Sequence, residues 1–257
     1  MFSIASAFWR DHLRASGIHL ALSLFVAALS AVLVFGIWYP YPYREISGGR
    51  ELFLLVVTVD VILGPLITLA IFDHAKDWPV LRRDLFVVAL LQLGALGYGL
   101  WTVFVARPVH MVFEYDRFRV VHAIEVPEAL LDKAPPDVDA MPLWGPTLLS
   151  LRPFRDPNEK MEATVAALQG VSLSARPDLW QPYAKALPEV LKAAKPVAAL
   201  KTRFASQAPE IDRVLAPAGG SAPGLVFLPM VGRKTFWTVF LDPVTGEIKA
   251  TMPLDSF

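Results

Sequence analysis

Hydrophobic positions crowd into three unbroken runs near the start of the chain, Ile18 to Trp38, Leu52 to Phe72 and Leu85 to Ala106. Each is about 21 or 22 residues long, enough at about 1.5 Å rise per residue to cross a hydrocarbon layer of about 30 Å. None contains Lys or Arg, and Asp60 is the one acidic residue among them. A helix packed inside a soluble domain keeps a polar stripe toward water, and these runs show no such stripe. The pattern predicts three transmembrane helices over 18–38, 52–72 and 85–106, which together make a membrane domain of residues 1–106.

After Arg107-Pro108 the periodicity changes. Val109 to Tyr115 and Phe118 to Ala123 read as two strands joined around Asp116-Arg117. The proline-rich stretch Pro127 to Pro157 reads as an ordered loop, because it also holds Trp144 and several leucines. A helix opens at Pro157-Asn158-Glu159 and closes at Gly170, the usual proline-first, glycine-last asymmetry. A second helix covers Leu187 to Phe204, divided or kinked by Pro196, and a short one spans Pro209 to Leu215. Beyond the Gly-rich loop at 219–224, strands return at Leu225 to Val231, Thr235 to Leu241 and Glu247 to Met252. Phe236, Thr238 and Phe240 alternate with Trp237, Val239 and Leu241, so both faces of that strand are largely apolar and it belongs inside a sheet. The fold class is therefore a three-helix membrane domain followed by a C-terminal extracytoplasmic α+β domain over residues 107–257.

Composition supports the division. Hydrophobic residues make up 54% and charged residues 19%, while 18 of the 22 prolines fall at or after Pro108. The formal charge is zero, from 24 basic and 24 acidic residues, and nothing resembles the basic footprint of a nucleic-acid binder. The absence of cysteine excludes disulfides, thiolate metal sites and thiol catalysis.

Basic residues near the span ends set the orientation. Arg10, Arg14, Lys76, Arg82 and Arg83 lie on one side, against Arg44, Arg50 and Arg107 on the other. That bias puts the N-terminus in the cytoplasm and the C-terminal domain outside. Trp38, Tyr39, Tyr41, Tyr43, Trp101 and Phe104 cluster at the outer ends, where interfacial aromatic residues belong. Ala28-Leu29-Ser30-Ala31 offers small residues for signal cleavage, but the apolar run continues to Trp38 and two more spans follow, so the first span reads as an uncleaved signal-anchor.

Asp60 is the unusual residue within the spans, since intramembrane carboxylates are costly and face a partner or a cavity. Pro65 removes the donor that would reach the carbonyl of Val61, which predicts a kink and a free acceptor, and Gly64 permits close approach of another helix. Counting in from the outer ends puts Asp60 about 13 Å deep and Ser30 and Tyr98 at about 12 Å, with Gln92 about 7 Å deeper than Asp60. Ser30 and Tyr98 are thus within reach of Asp60, and Gln92 is a longer reach. Two readings stand side by side: a protonated Asp60 satisfied within its own bundle, or a docking point for a polar or cationic group on a partner's membrane helix. No Lys or Arg shares its depth. Gly94, Ala95, Gly97 and Gly99 favour close helix contact in the third span, with self or with a partner.

Catalytic signatures do not accompany these features. The histidines at 12, 19, 74, 110 and 122 have no metal-ligand spacing, and His110 and His122 flank one hairpin in a surface or sheet-packing role. Phosphate-binding, dinucleotide-binding, nucleophile-elbow and zinc-protease motifs are missing. Asp73, Asp77 and Asp84 lack the context of an intramembrane aspartyl protease and read as capping or surface residues. No catalytic, cofactor-binding or metal-binding residue is assigned, and no cofactor is expected.

Several stretches, taken in order, resemble the type IV pilin accessory proteins of the TfpX/TfpZ type. They are Trp38-Tyr39-Pro40, the run from Val59 to Leu66 (with Asp60, Gly64 and Pro65), Leu90-Leu91-Gln92-Leu93, Tyr98 to Val103, Ala106 to Val109, Phe113 to Phe118 and Trp144-Gly145-Pro146. The likeness covers the membrane half and the first hairpin, and little beyond about residue 160. It implies a non-catalytic helper of pilin stability or assembly in the inner membrane of Gram-negative bacteria, with the C-terminal domain in the periplasm and type IV pilin and the lipid bilayer as partners. On that reading Asp60, Gly64, Pro65, Gln92, Tyr98 and Ser30 are the candidate contacts with the pilin's membrane helix. A membrane-anchored sensor with a ligand-binding outer domain is the competing class, although the short cytoplasmic segments offer no output module. A small transporter would need a polar pathway, for which one acid is thin support.

Overall fold

The computed structural model describes residues 2–72, 76–218 and 224–257, with side chains from residue 9 onward. Asp73, His74 and most of the Gly-rich loop at 219–224 lie outside the described residues. Two compact units emerge: Met1–Ile37 with Gly49–Val105, and Trp38–Gly48 with Ala106–Phe257.

The first unit is three long helices. Helix α1 (Phe2–Leu33) runs on through a π-helical turn, Val34–Trp38. Helix α3 (Gly49–Ile71) remains continuous through Pro65, and α4 spans Trp78–Val105. All three are long and apolar enough to cross a membrane, as the periodicity predicts. Helix α3 is the middle member, packed against α1 on one side and α4 on the other. Polar grips to backbone carbonyls join α1 to α3: His12 Nδ1 to the Leu69 oxygen at 2.9 Å and Ser16 Oγ to the Pro65 oxygen at 2.9 Å. Against α4 the contact depends on missing side chains. A Cβ added at Gly99 would collide with Val56 Cγ1, and one at Gly64 would collide with Gln92 Nε2. In a solvent that offers helices no hydrophobic drive to associate, such close approach is a main source of contact energy. Gly94 and Gly97, in contrast, meet nothing on the outer surface of α4. At the connection between α3 and α4, Asp84 pairs with Lys76 Nζ at 2.9 Å, in keeping with a surface role.

The second unit is built on one mixed sheet with strand order β4-β3-β1-β2-β6-β7-β8, and β5 pairs with β6 off that path. The strands are β1 (Pro108–Glu114), β2 (Arg117–His122), β3 (Thr147–Leu151), β4 (Trp180–Pro182), β5 (Lys195–Pro196), β6 (Val226–Val231), β7 (Phe236–Leu241) and β8 (Ile248–Met252). The hairpin β1–β2 turns on Tyr115, at φ 58°, and Asp116, one residue earlier than the sequence suggests. Parallel pairings, His110 with Thr147 and Phe118 with Met230, stitch the ends of the segment into one sheet. Strand β7 is interior with both faces buried, as its alternation of large apolar residues requires. Strand β3 falls in the proline-rich stretch that reads as loop. Its Thr147–Leu151 run is too short to show periodicity, and pairing with β1 is what makes it a strand.

Helices cover the sheet. In α5 (Pro157–Leu168) the Asp156 carboxylate caps the first turn by accepting from the backbone N–H of Asn158 and Glu159. Pro196 divides the next helical run into α6 (Leu187–Ala193) and α7 (Val197–Arg203), with β5 between them, and α8 follows at Ala208–Leu215. One face of the sheet carries Met111, Phe113, Phe118, Val120, Leu228 and Met230. Val112 and Val121, of the opposite register, and Val109, at the irregularity between Pro108 and His110, pack on the other face with Trp180, and Phe227 and Phe240 pack there with α7 and α8.

The loop after the first span behaves differently from what its aromatic residues suggest. Tyr39 and Ile46 are 1% and 0% exposed, and short helix α2 (Tyr43–Ile46) seats Ile46 in the first core face beside Phe118 and Met230. Tyr43 Oη reaches Met111 Sδ, and the Lys234 N–H donates to the Ile46 oxygen at 3.1 Å. Tyr39 is therefore a core residue of the second unit and Tyr43 packs partly buried against that core, so neither is an interfacial belt residue, because the sheet presents an apolar face that this loop covers. Tyr41 keeps its exposure, at 57%.

Candidate functional site: a polar-floored groove on the membrane helices

Because α3 is the middle helix, α1 and α4 leave a groove between them over its surface. This groove has a volume of about 290 Å³ and is lined by His19, Leu22, Ser23 and Val26 of α1, Ala89, Gln92, Leu93 and Leu96 of α4, and Asp60 at the floor. Its walls are mostly apolar, with His19 and Ser23 the polar residues on the α1 side and Gln92 on the α4 side.

The Asp60 carboxylate is half-buried there. Among the described residues its one hydrogen-bond donor is Gln92, whose Nε2 lies 3.4 Å from Oδ1 and 3.2 Å from the Asp60 backbone oxygen. The bare backbone of Gly64 is what lets the Gln92 amide cross α3. A carboxylate can accept about four hydrogen bonds, and a single long one leaves most of that capacity open to the groove. His19 stands on the opposite wall with its Nδ1 2.5 Å from Thr68 Oγ1, and Ser23 is buried beside it.

Asp60 and Gln92 meet. Gly64 and Pro65 are buried, so the close approach that Gly64 permits is taken by the chain's own α4. Ser30 is buried on α1 but does not line the groove. Tyr98 is 69% exposed on α4, its ring 5.9 Å from Trp101, and it does not reach Asp60 either. Counting inward from span ends misjudged these neighbours because helix register is set by packing points such as Ser16 on Pro65 and Val56 on Gly99, and the ends need not be level. His19 and Ser23 were missed for the same reason. The signal that could have found them is the alternating four- and three-residue spacing of His12, Ser16, His19 and Ser23, which puts four polar residues on one side of the helix as it enters the first span.

Three membrane-length helices with a grooved face and a mixed-sheet α+β domain define a polytopic membrane protein. A family model, fimbrial assembly protein FimB, matches residues 7–48, which cover most of α1 and the loop that enters the second unit. This chain is 36% identical to a fimbrial assembly protein of serogroup I from Dichelobacter nodosus, over 94% of its own length and 95% of the relative. The serogroup E1 protein of the same organism is 34% identical over the same shares, and that of serogroups C1 and C2 is 42% identical over 47% of this chain and 89% of its own length. No solved structure matches. The chain belongs to the fimbrial assembly protein family, and the resemblance to pilin accessory proteins is met at that level.

Proposed function

We propose that this protein assists fimbrial assembly by receiving the membrane helix of a type IV pilin in the groove between α1 and α4, with Asp60 as the polar contact. One observation supports this reading above the others: a membrane-depth carboxylate whose acceptor capacity is largely unused, at the floor of a groove of about 290 Å³. An ionised carboxylate at mid-membrane costs about 3 kcal/mol, a cost that a donor on an arriving helix offsets. The protein is non-catalytic in this account and acts as a pilin chaperone in the inner membrane. Its N-terminus is cytoplasmic and its C-terminal domain lies in the periplasm, where it meets the pilin head. The relatives' role in fimbrial assembly, carried in their names, agrees with the pilin as occupant.

Photocrosslinkers at Ser23 and Leu93, on opposite walls, should capture pilin, whereas one at Leu91, 68% exposed and outside the groove, should not. Asp60→Asn should lower pilin levels and surface piliation. Unchanged piliation together with no capture from either wall would end the proposal.

A second reading has one observation in its favour. The C-terminal domain holds a cavity of about 440 Å³ where Phe113, Leu151, Phe154 and Leu179 adjoin Arg152, Gln181 and Lys185, as a sensor with a small-molecule ligand would require. Chemical-shift changes at these residues on addition of a metabolite mixture, with piliation independent of Asp60, would favour it.

A further inference from the structure

The Leu143-Trp144 pair is used by neither the sheet core nor the groove. Leu143 is 57% exposed and Trp144 74%, in a loop that is otherwise firmly held. A Cβ on Gly145, whose φ is +46°, would lie 3.6 Å from Pro40 Cγ. Buried Arg107 grips the preceding residues, donating through Nε and Nη2 to the Pro142 oxygen at 3.4 and 3.3 Å and through Nη2 to the Met141 oxygen at 3.4 Å. Both neighbours of the loop are chain junctions. Pro40 is two residues past Trp38, where the first membrane-length helix ends, and Arg107 is two residues past Val105, where the third ends. Two residues reach about 7 Å at most. The loop is thus hydrogen-bonded beside one point where the chain leaves the membrane and lies close to another.

We infer that Leu143 and Trp144 insert into the headgroup layer of the protein's own bilayer and hold the C-terminal domain against it. The occupant follows from continuity: the junctions that clamp the loop are themselves at the membrane boundary, so lipid is the apolar phase within reach. Tryptophan suits that layer, with an apolar ring and one N–H to keep wet. Rigid clamping keeps the ordering cost of insertion small, because the loop arrives already shaped. Exposed Tyr41 and Arg233 flank the same end of the domain, Tyr41 one residue beyond Pro40 and Arg233 next to Lys234, which bonds the Ile46 oxygen three residues before α3 begins. The inference rests on α1 and α4 being membrane spans, and on nothing about the pilin.

The chain has no cysteine, so a single one can be labelled cleanly. Full-length Trp144→Cys, carrying an environment-sensitive nitrobenzoxadiazole, is reconstituted into phosphatidylcholine vesicles. Leu143→Cys gives the same readout on a chain that keeps the tryptophan. Val244→Cys is the reference, 77% exposed and beyond the far end of β7 from Lys234. The probe at 143 or 144 should shift to the blue, lose most of its emission to lipids carrying a nitroxide just below the headgroup, and resist iodide; the probe at 244 should do the reverse. Iodide quenching at 143 and 144 in vesicles that retain the protein through alkaline carbonate overturns the inference alone. Protein stripped by carbonate overturns it together with the span reading. Protection from iodide that appears only when pilin is co-reconstituted assigns the loop to a protein partner and overturns the lipid assignment.

Discussion

Ile46 lies in the loop between the first two spans, yet its side chain is fully buried in the core of the C-terminal unit. Replacing it by alanine removes three carbons from a site shared with Phe118, Met230 and Trp237 and closed from above by Gly232. Collapse there is restricted, because the Ile46 oxygen is fixed to the Lys234 N–H and the flanking Tyr43 to Met111. Buried Ile→Ala changes cost about 2–5 kcal/mol, so about 3 kcal/mol is expected here. With a urea dependence of about 2 kcal/mol per molar for a domain of this size, the unfolding midpoint should fall by about 1.5 M. The assay is pulse proteolysis of the full-length protein in detergent at increasing urea, following the C-terminal domain. Tyr41→Phe, in the same loop but exposed, should shift the midpoint by less than about 0.25 M. An unmoved midpoint for Ile46→Ala would refute the claim that this loop is a structural part of the domain.

Other outcomes follow from the same geometry. Gly232→Ala should be comparably harmful, since its Cβ would sit 2.7 Å from the Ile46 carbonyl oxygen, which is backbone and yields little. The His110 ring is held neutral, with Nδ1 2.7 Å from Thr147 Oγ1 and Nε2 3.1 Å from the Ala140 oxygen, and burial lowers its pKa from 6.5 to about 4. The unfolded chain then takes up a proton from about pH 6.5 downward while the folded one does not until about pH 4. Stability is therefore lost across that window, by up to about 3 kcal/mol, and His110→Gln should flatten the urea midpoint between pH 7 and pH 5. Below it, Glu159, held down at about 2 by its hydrogen bonds to the Arg152 guanidinium, adds a further loss as pH falls from 4.5 toward 2, which Glu159→Gln should abolish. In the membrane unit, Gly99→Val should reduce the yield of monodisperse protein in detergent by forcing α4 off Val56, whereas Gly94→Val, with nothing near it, should not.

Much of this architecture is legible along the chain. The strands Phe236–Leu241 and Ile248–Met252 fall within the runs Thr235 to Leu241 and Glu247 to Met252 that the sequence marks, and Pro196 divides the helical run it interrupts. Asp60 and Gln92 stand out as polar residues in apolar runs, and the structure brings them together. Other parts could not be read because their signal is not local. Strand β4 is three residues, and β5 is two. His110 and His122 read as equivalent residues near one hairpin, but only His110 has both ring nitrogens matched by a hydroxyl and a carbonyl from distant segments.

The sequence by itself determined that the chain has three membrane-length helices and an α+β domain, because solvent preference is summed residue by residue and needs no partner to be visible. It also picked out Asp60, since a carboxylate in an apolar run is anomalous whatever surrounds it. Tertiary structure alone decided which helix lies in the middle, that His19 and Ser23 face the Asp60 groove where Ser30 and Tyr98 do not, and that Tyr39 and Ile46 belong to the sheet domain. Those outcomes depend on helix register and on an apolar sheet face that needs a cover. Both are set by close contact between segments far apart in the chain, such as Gly64 beneath Gln92 and Ile46 beneath Gly232.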